Sequence, residues 1–291
     1  MNASGSSIDA MLSPYIGGKD LISQIVLTIV IVVIVSVIAA GITSALEFFE
    51  KRAQSSATLL ADTTTGQQLV AQDPALGTPM VYNSENQQNG IEMTYSMFLL
   101  IKSETFDGVK MADGQTPTLK HVFHKGFKNA FPVMAPGVFV ESVNNTLRVY
   151  MNSANSWNNY ISIPNIPVGK WFHMIILVKG KYLDVYINGN VTQRFEFKDV
   201  PRLNYGNIYV MSPIQFTYPQ NSTSSSPNPK QMQITGAIAG MVSRLHYYGY
   251  ALTYSAIDAL YRQGPSSTIV NSGSTDLPPY FHDDWWVNKS Y

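Results

Sequence analysis

Residues 21–46 read LISQIVLTIVIVVIVSVIAAGITSAL, with no charged side chain between Asp20 and Glu47. At about 1.5 Å per residue a helix of this length reaches roughly 39 Å, against a bilayer hydrocarbon core of about 30 Å. The stretch 29–35 is apolar on every face and mostly β-branched, so it lacks the polar stripe with which a helix packed on a soluble core meets water. A cleaved signal peptide fits less well. The residues before the run include Asp9, Lys19 and Asp20 rather than a basic cluster, and the run exceeds an ordinary signal core. The expectation is a polar segment over 1–20 followed by one membrane-spanning helix over 21–46. Lys19 flanks its start while Lys51 and Arg52 flank its end, a bias that favours the cytoplasmic side for the bulk of the chain. Sequons at Asn144, Asn190 and Asn221 would suit the opposite side.

The remaining composition narrows the function. Lys and Arg number 19 and Asp and Glu 19, and only 13% of residues are charged, so there is no basic field to hold a phosphate backbone and nucleic acid is excluded as a partner. The absence of cysteine removes thiolate metal sites, thiol catalysis and disulfides, and suits folding in a reducing compartment. With 17 Tyr and 13 Phe, the chain is rich in strand formers.

Residues 47–72 read as a helical stub followed by a polar connector. Period-two alternation begins at Ile91, where Ile91, Met93, Tyr95, Met97, Leu99 and Ile101 are apolar while Glu92, Thr94 and Ser96 face away, as in a half-buried strand. Further strands are expected over 137–141, 146–151, 171–178, 182–187, 192–197, 206–211 and 234–248. Asn188-Gly189 supplies a hairpin turn. Trp171, Ile175, Leu177, Leu183, Val185 and Ile187 are expected in one core. A helix in LTYSAIDALYRQGP, capped by Thr253 or Ser255 and stopped by Gly264-Pro265, is expected to cover an open end of the fold. The fold class expected is therefore mainly β, an antiparallel β-sandwich over 73–265 of jelly-roll, concanavalin A-like layout, followed by a tail over 266–291.

The segments GIEMTYSMFLLI, HVFHKG, PGVFVE, VGKWFHMIILVKGKYLDVYINGNVTQRF and GAIAGMVSRLHYYGYALTYSAIDALYRQGP, in that order, resemble the concanavalin A-like lectin/glucanase superfamily and, within it, laminin G-like domains. That resemblance implies the sandwich but no particular activity. The early span, the QDPALGTPMVYNSENQQNGIEMTYS entry and the PPYFHDDWW tail are similar to membrane-anchored laminin G-like proteins of large icosahedral DNA viruses. They imply a minor capsid or virion membrane protein whose partners are the lipid bilayer and other virion proteins. Its sandwich would face the capsid, on the cytoplasmic side during assembly.

Glycosidases of this superfamily would carry Glu-x-Asp-x-(x)-Glu on one strand face, and no such run exists here. Glu104 with Asp107, Glu196 with Asp199, and Asp283 with Asp284 fall in expected loops or turns, so no catalytic residue is assigned. His121 and His124 are three apart on a strand and are expected on opposite faces, which argues against a metal pair. Some relatives bind calcium, and Asp184, Asn188 and Asn190 would offer oxygen ligands for it; no other cofactor is implied. A lectin-like role would use an exposed aromatic ring among amides, and Trp157 with Asn158, flanked by Asn152, Asn155 and Asn159, offers such a set for a glycan. The adjacent Trp285 and Trp286 in the tail are expected to dock onto the domain or a partner.

Overall fold

The computed structural model describes residues 21–82, 84, 91–219 and 231–270. It divides between Gln54 and Ser55 into two bodies. The first holds helix α1 (Leu21–Gln54), which continues the apolar run through the former stub. Its segment 24–51 is long and apolar enough to cross a membrane, and none of it is buried within the protein. Its hydroxyl groups turn back onto the helix backbone: Thr28 Oγ1 donates to Gln24 O at 2.8 Å, Ser36 Oγ to Val32 O at 2.7 Å, and Thr43 Oγ1 to Ala40 O at 2.9 Å.

The second body is a β-sandwich. Its strands are β1 (Ser56–Thr64), β2 (Gln68–Val70), β3 (Glu92–Ile101), β4 (Leu119–Gly126), β5 (Met134–Glu141), β6 (Leu147–Tyr150), β7 (Tyr160–Ile163), β8 (Trp171–Lys179), β9 (Tyr182–Ile187), β10 (Asn190–Glu196), β11 (Asn207–Val210), β12 (Gln215–Tyr218), β13 (Met232–Ala237), β14 (Gly240–Tyr248) and β15 (Ile269–Val270), with helix α2 (Tyr254–Gln263) before the last. One sheet runs β10-β9-β8-β3-β14-β1-β15; the other runs β12-β13-β4-β5-β6-β7, with β11 on β4 and β2 on β11. Pairing is antiparallel except between β13 and β4 and between β1 and β15. The inner faces meet in a core that includes Tyr95, Leu99, Phe123, Val138, Val149, Phe172, Ile176, Val185 and Leu245.

Several boundaries differ from expectation. The connector over 47–72 contains the end of α1 and strands β1 and β2, and β15 lies beyond residue 265. The stretch 234–248 is not one strand. It breaks at residues 238–239 into β13 and β14, which belong to different sheets, and β14 opens with Gly240 paired to Ile101. A Cβ there would sit 2.1 Å from Leu100 O, so only glycine permits that approach.

The register of β8 also differs by one residue. Phe172, Met174, Ile176 and Val178 face the inter-sheet core, whereas Ile175 and Leu177 lie on the outer face, buried under Ile257 of α2 and the preceding Ala251 and Leu252. Trp171 and Ile187 are only partly buried, while Leu183 and Val185 join the main core as expected. Helix α2, capped by Thr253, thus covers a sheet face rather than an open end. That cover explains why Thr94 and Ser96 are buried instead of solvated. Thr94 Oγ1 donates to Tyr250 O at 2.9 Å, and Ser96 Oγ lies 2.8 Å from His173 Nε2.

Tyr95 sits at the centre, between Phe123 and Tyr247 at ring separations of 5.3 and 5.0 Å, with its hydroxyl buried and without a partner among the described residues. An unsatisfied buried hydroxyl costs about 1–3 kcal/mol, so Tyr95→Phe is expected to stabilise the fold by about 1 kcal/mol. The check is a higher urea midpoint for the variant in detergent; a lower one would mean that the hydroxyl has a partner.

Candidate functional site

The loop over 151–159 joins β6 to β7 and carries Trp157 on the outer face of the second sheet. The loop is held by its own amides. Asn152 Oδ1 accepts from Met134 N–H and its Nδ2 donates to Pro132 O, both at 2.7 Å, and Asn159 Nδ2 donates to Ser153 Oγ at 2.9 Å. These two asparagines are therefore committed to the loop and not to a ligand. Asn158 is half-buried, its N–H on Ser156 Oγ, and does not line the adjoining cleft. Asn155 is exposed and does line it.

Trp157 packs edge-on to Phe131 at 5.0 Å and to Tyr218 at 5.4 Å, while Phe131 stacks on Phe216 at 5.3 Å and on Tyr218 at 4.3 Å. Sequence spacing gives no hint of this cluster, because its members come from three separated segments: the β4–β5 connection, the β6–β7 loop and edge strand β12. Beside it lies a cleft of about 410 Å³ whose walls include Pro132, Val133, Trp157 and Leu203 and whose rim offers Asn155 and Arg202. Its size and mixed lining suit one or two rings of an amphipathic ligand, or an aromatic side chain of another protein.

His121 and His124 do not point to opposite faces. The register of β4 against β5 slips between His121 and Phe123, where the partner on the other edge of β4 also changes from β13 to β11. The bulge turns one imidazole towards the other. Ser212 N–H donates to His121 Nδ1 at 3.0 Å, His121 Nε2 lies 2.7 Å from His124 Nδ1, and His124 Nε2 lies 2.7 Å from Phe127 O. Because a carbonyl only accepts and Ser212 N–H only donates, both rings are assigned as neutral Nε2–H tautomers. Both are fully buried, with His124 stacked on Tyr209 at 4.8 Å and 9°. Burial holds His124 down to about 4 and, with His124 beside it, holds His121 well below the ordinary imidazole value. Lys125, next along, is buried and donates to Asn204 O and Gly206 O at 2.6 and 2.9 Å; burial pulls it down to about 8.

No cluster of three or more metal-ligating side chains occurs among the described residues. At the position considered for calcium, Asp184 is engaged by both Nε and Nη2 of Arg194 at 2.6 and 2.8 Å, and Asn188 Oδ1 accepts from His173 N–H at 2.9 Å. Asp184 is thus occupied within the β9–β10 hairpin, and the Asn188 side-chain oxygen by the backbone of β8. The buried carboxylates are likewise committed: Glu141 to Arg148 at 2.6 Å and Asp184 to Arg194. Among the described residues there is no pair of uncommitted buried carboxylates with which to run glycoside hydrolysis. A second cleft, of about 380 Å³, lies beside α2, lined by Phe98, Trp171, His173, Asn188 and Tyr261 among others. Trp285 and Trp286 lie outside the described residues.

No protein family model matches the chain, and no curated protein does. Among solved structures, the receptor binding domain of botulinum neurotoxin C/D mosaic serotype is similar at 11% identity and a TM-score of 0.43, over 69% of this chain and 42% of that one. The receptor binding domain of botulinum neurotoxin D aligns at 12% identity and a TM-score of 0.42, over 70% and 43% of the two chains. The binding domain of botulinum neurotoxin DC, in complex with rat synaptotagmin II, aligns at 13% identity and a TM-score of 0.43, over 72% and 42%. This chain thus spans less than half the length of these structures. At such identity and TM-score the likeness assigns no activity to it.

Proposed function

We propose that this is a non-catalytic, membrane-tethered docking protein: α1 anchors it in a bilayer and the sandwich binds a partner rather than transforming a substrate. The observation that carries this reading is the contrast between buried carboxylates locked in ion pairs and a cleft beside Trp157 that the described residues leave open. Following the resemblance of its terminal segments, the partner is the protein shell of a large DNA virus. The chain is then a minor capsid or virion membrane protein, single-pass in an internal membrane, with the sandwich on the cytoplasmic side during assembly and Trp285 and Trp286 contributing to docking. Sequons at Asn144, Asn190 and Asn221 are accordingly expected to stay unglycosylated in a eukaryotic host, as read by an endoglycosidase mobility shift. Glycans on any of them would place the sandwich in the lumen.

A second reading, attachment through a glycan, is favoured by the exposed rim groups Asn155 and Arg202 beside the Trp157 ring. The two readings part on one experiment with the full chain in detergent. Saturable binding to a defined glycan, lost in Trp157→Ala, supports attachment. No glycan binding, together with co-purification with shell proteins, supports the structural role.

A further inference from the structure

The cleft of about 380 Å³ beside α2, on the outer face of the first sheet, has no part in the function proposed above. Its lining is aromatic. His173 lies between Phe98 at 4.6 Å and Tyr261 at 6.1 Å, Trp171 is only partly buried, and Tyr261 is 41% exposed. Its polar groups are donors and no carboxylate lines it. Arg262 lines it while pairing with Asp258 at 2.8 Å, and Asn188, whose Oδ1 accepts from His173 N–H, has its Nδ2 left to donate. Lys170, exposed, adjoins Trp171 in the chain. The complement of such a lining is a segment that joins aromatic rings to carboxylates.

The chain's own tail has that chemistry in YFHDDWW, residues 280–286, and it sets out from the same end of the sheet. Gly264 and Pro265 line the cleft. Ser266 then fixes the exit, its N–H donating to Ser243 Oγ at 2.9 Å and its Oγ to Asp62 Oδ1 at 2.8 Å, before β15 pairs with Thr63 and Thr64. Val270 pairs with Thr64, Thr64 with Val242, Val242 with Leu99, and the next residue, Leu100, with Trp171, so Val270 and Trp171 share one end of the first sheet. Four strand spacings separate them, about 19 Å. Residues 271–282 reach roughly 40 Å when extended, enough to return Asp283 to the cleft with slack. The Trp157 cleft lies on the opposite face of the sandwich. We propose that the tail closes on its own domain, Trp285 and Trp286 filling the α2 cleft against Trp171 and Tyr261 while Asp283 and Asp284 meet Arg262 and Lys170. A short flexible tether gives such a segment an effective concentration of about 1 mM, so a weak contact suffices within one chain. The clasp does not rest on the function proposed above; it adds that the two tryptophans reach a shell protein only by leaving this cleft.

The chain has four tryptophans, one at each cleft and two in the tail, so fluorine NMR of the full chain labelled with fluorotryptophan, in lipid nanodiscs, reads the clasp directly. In the double variant Trp285→Ala, Trp286→Ala two signals vanish; the Trp171 signal is expected to move while that of Trp157 stays. A peptide of residues 278–288 added to this variant is expected to return the Trp171 signal, with a Kd of about 0.1 mM, which at the effective concentration of the tether leaves the natural chain closed about tenfold over open. The clasp is overturned by a Trp171 signal that is the same with and without the tail tryptophans. It is equally overturned by a response at Trp157 instead, which would seat the tail in the other cleft, or by a Trp171 shift that fades on tenfold dilution of the natural chain, which would make a second copy the donor of the tail. Both substitutions lie outside the sandwich, and no shell protein or glycan enters the readout, so its failure is distinct from a failure of the proposed function.

Discussion

Taking the protein from pH 7 to pH 4 is expected to unfold the sandwich completely. Three of its histidines are almost wholly buried and neutral: His121, His124 and His173. Burial holds His124 and His173 down to about 4, His173 with help from the neighbouring His246, and holds His121 well below the ordinary 6.5. In the unfolded chain these rings take up protons below about pH 6.5, whereas in the folded chain they resist until about pH 4. The stability they contribute is therefore fully present above pH 6.5 and drains away as the pH falls towards 4. His124 and His173 account for about 3 kcal/mol each. Together they reach the size of a typical domain's whole stability of about 5–15 kcal/mol. Asp107, drawn below its ordinary value by Lys120 despite desolvation, adds a loss at still lower pH. Circular dichroism against pH checks this: a transition between pH 6 and 4 is expected, shifted down by about half a unit or more in His173→Asn. A sandwich that keeps its near-ultraviolet signal at pH 4 would show that the histidines protonate in place.

Removing residues 1–54 is expected to move the protein wholly from the membrane to the soluble fraction while leaving the sandwich folded. The division of the structure at Gln54 underlies the second half of that expectation, since β1 begins only at Ser56 and pairs with β14. The first half rests on the Ile, Val and Leu of α1. Each contributes a few tenths of a kcal/mol to insertion, whereas one Arg at the centre costs about 2.5–3.5. Ile34→Arg should thus weaken insertion measurably without touching the sandwich. Alkaline carbonate extraction separates the outcomes. A truncated chain that still pellets with membranes would transfer the anchor elsewhere, and one that aggregates would make the helix part of the fold.

The long apolar helix, the β class and the β8–β9 and β9–β10 hairpins were legible because each repeats one physical signal over many residues. The elements that were not legible lack that signal. In β1 the buried positions include Thr63 and Thr64, whose hydroxyls are satisfied by Ser243, Ser266 and Gly66, so no apolar period appears. In β8 both faces are buried, and an alternation of large apolar residues on either side cannot say which faces the other sheet. The bulge in β4 shifts the parity at Val122, which is why a three-residue spacing read as two faces brought His121 and His124 together. Of the candidate site, Trp157 stood out as a lone tryptophan among asparagines. Its partners Phe131 and Tyr218 are brought to it only by the sheet order, and the roles of Asn152 and Asn159 in holding the loop follow from backbone geometry that no spacing encodes.

The function proposed for the tethered sandwich is to dock onto a protein shell without carrying out chemistry. Chemical cross-linking with mass spectrometry on purified, intact particles tests it most directly. The expected result is that the chain is present, stays with the membrane on carbonate extraction, and cross-links from exposed lysines such as Lys128, Lys170 and Lys181 to shell proteins over a contact of about 1,000 Å² or more. Absence of the chain from particles, or a full-length protein that hydrolyses a polysaccharide or binds one tightly through Trp157, would contradict it.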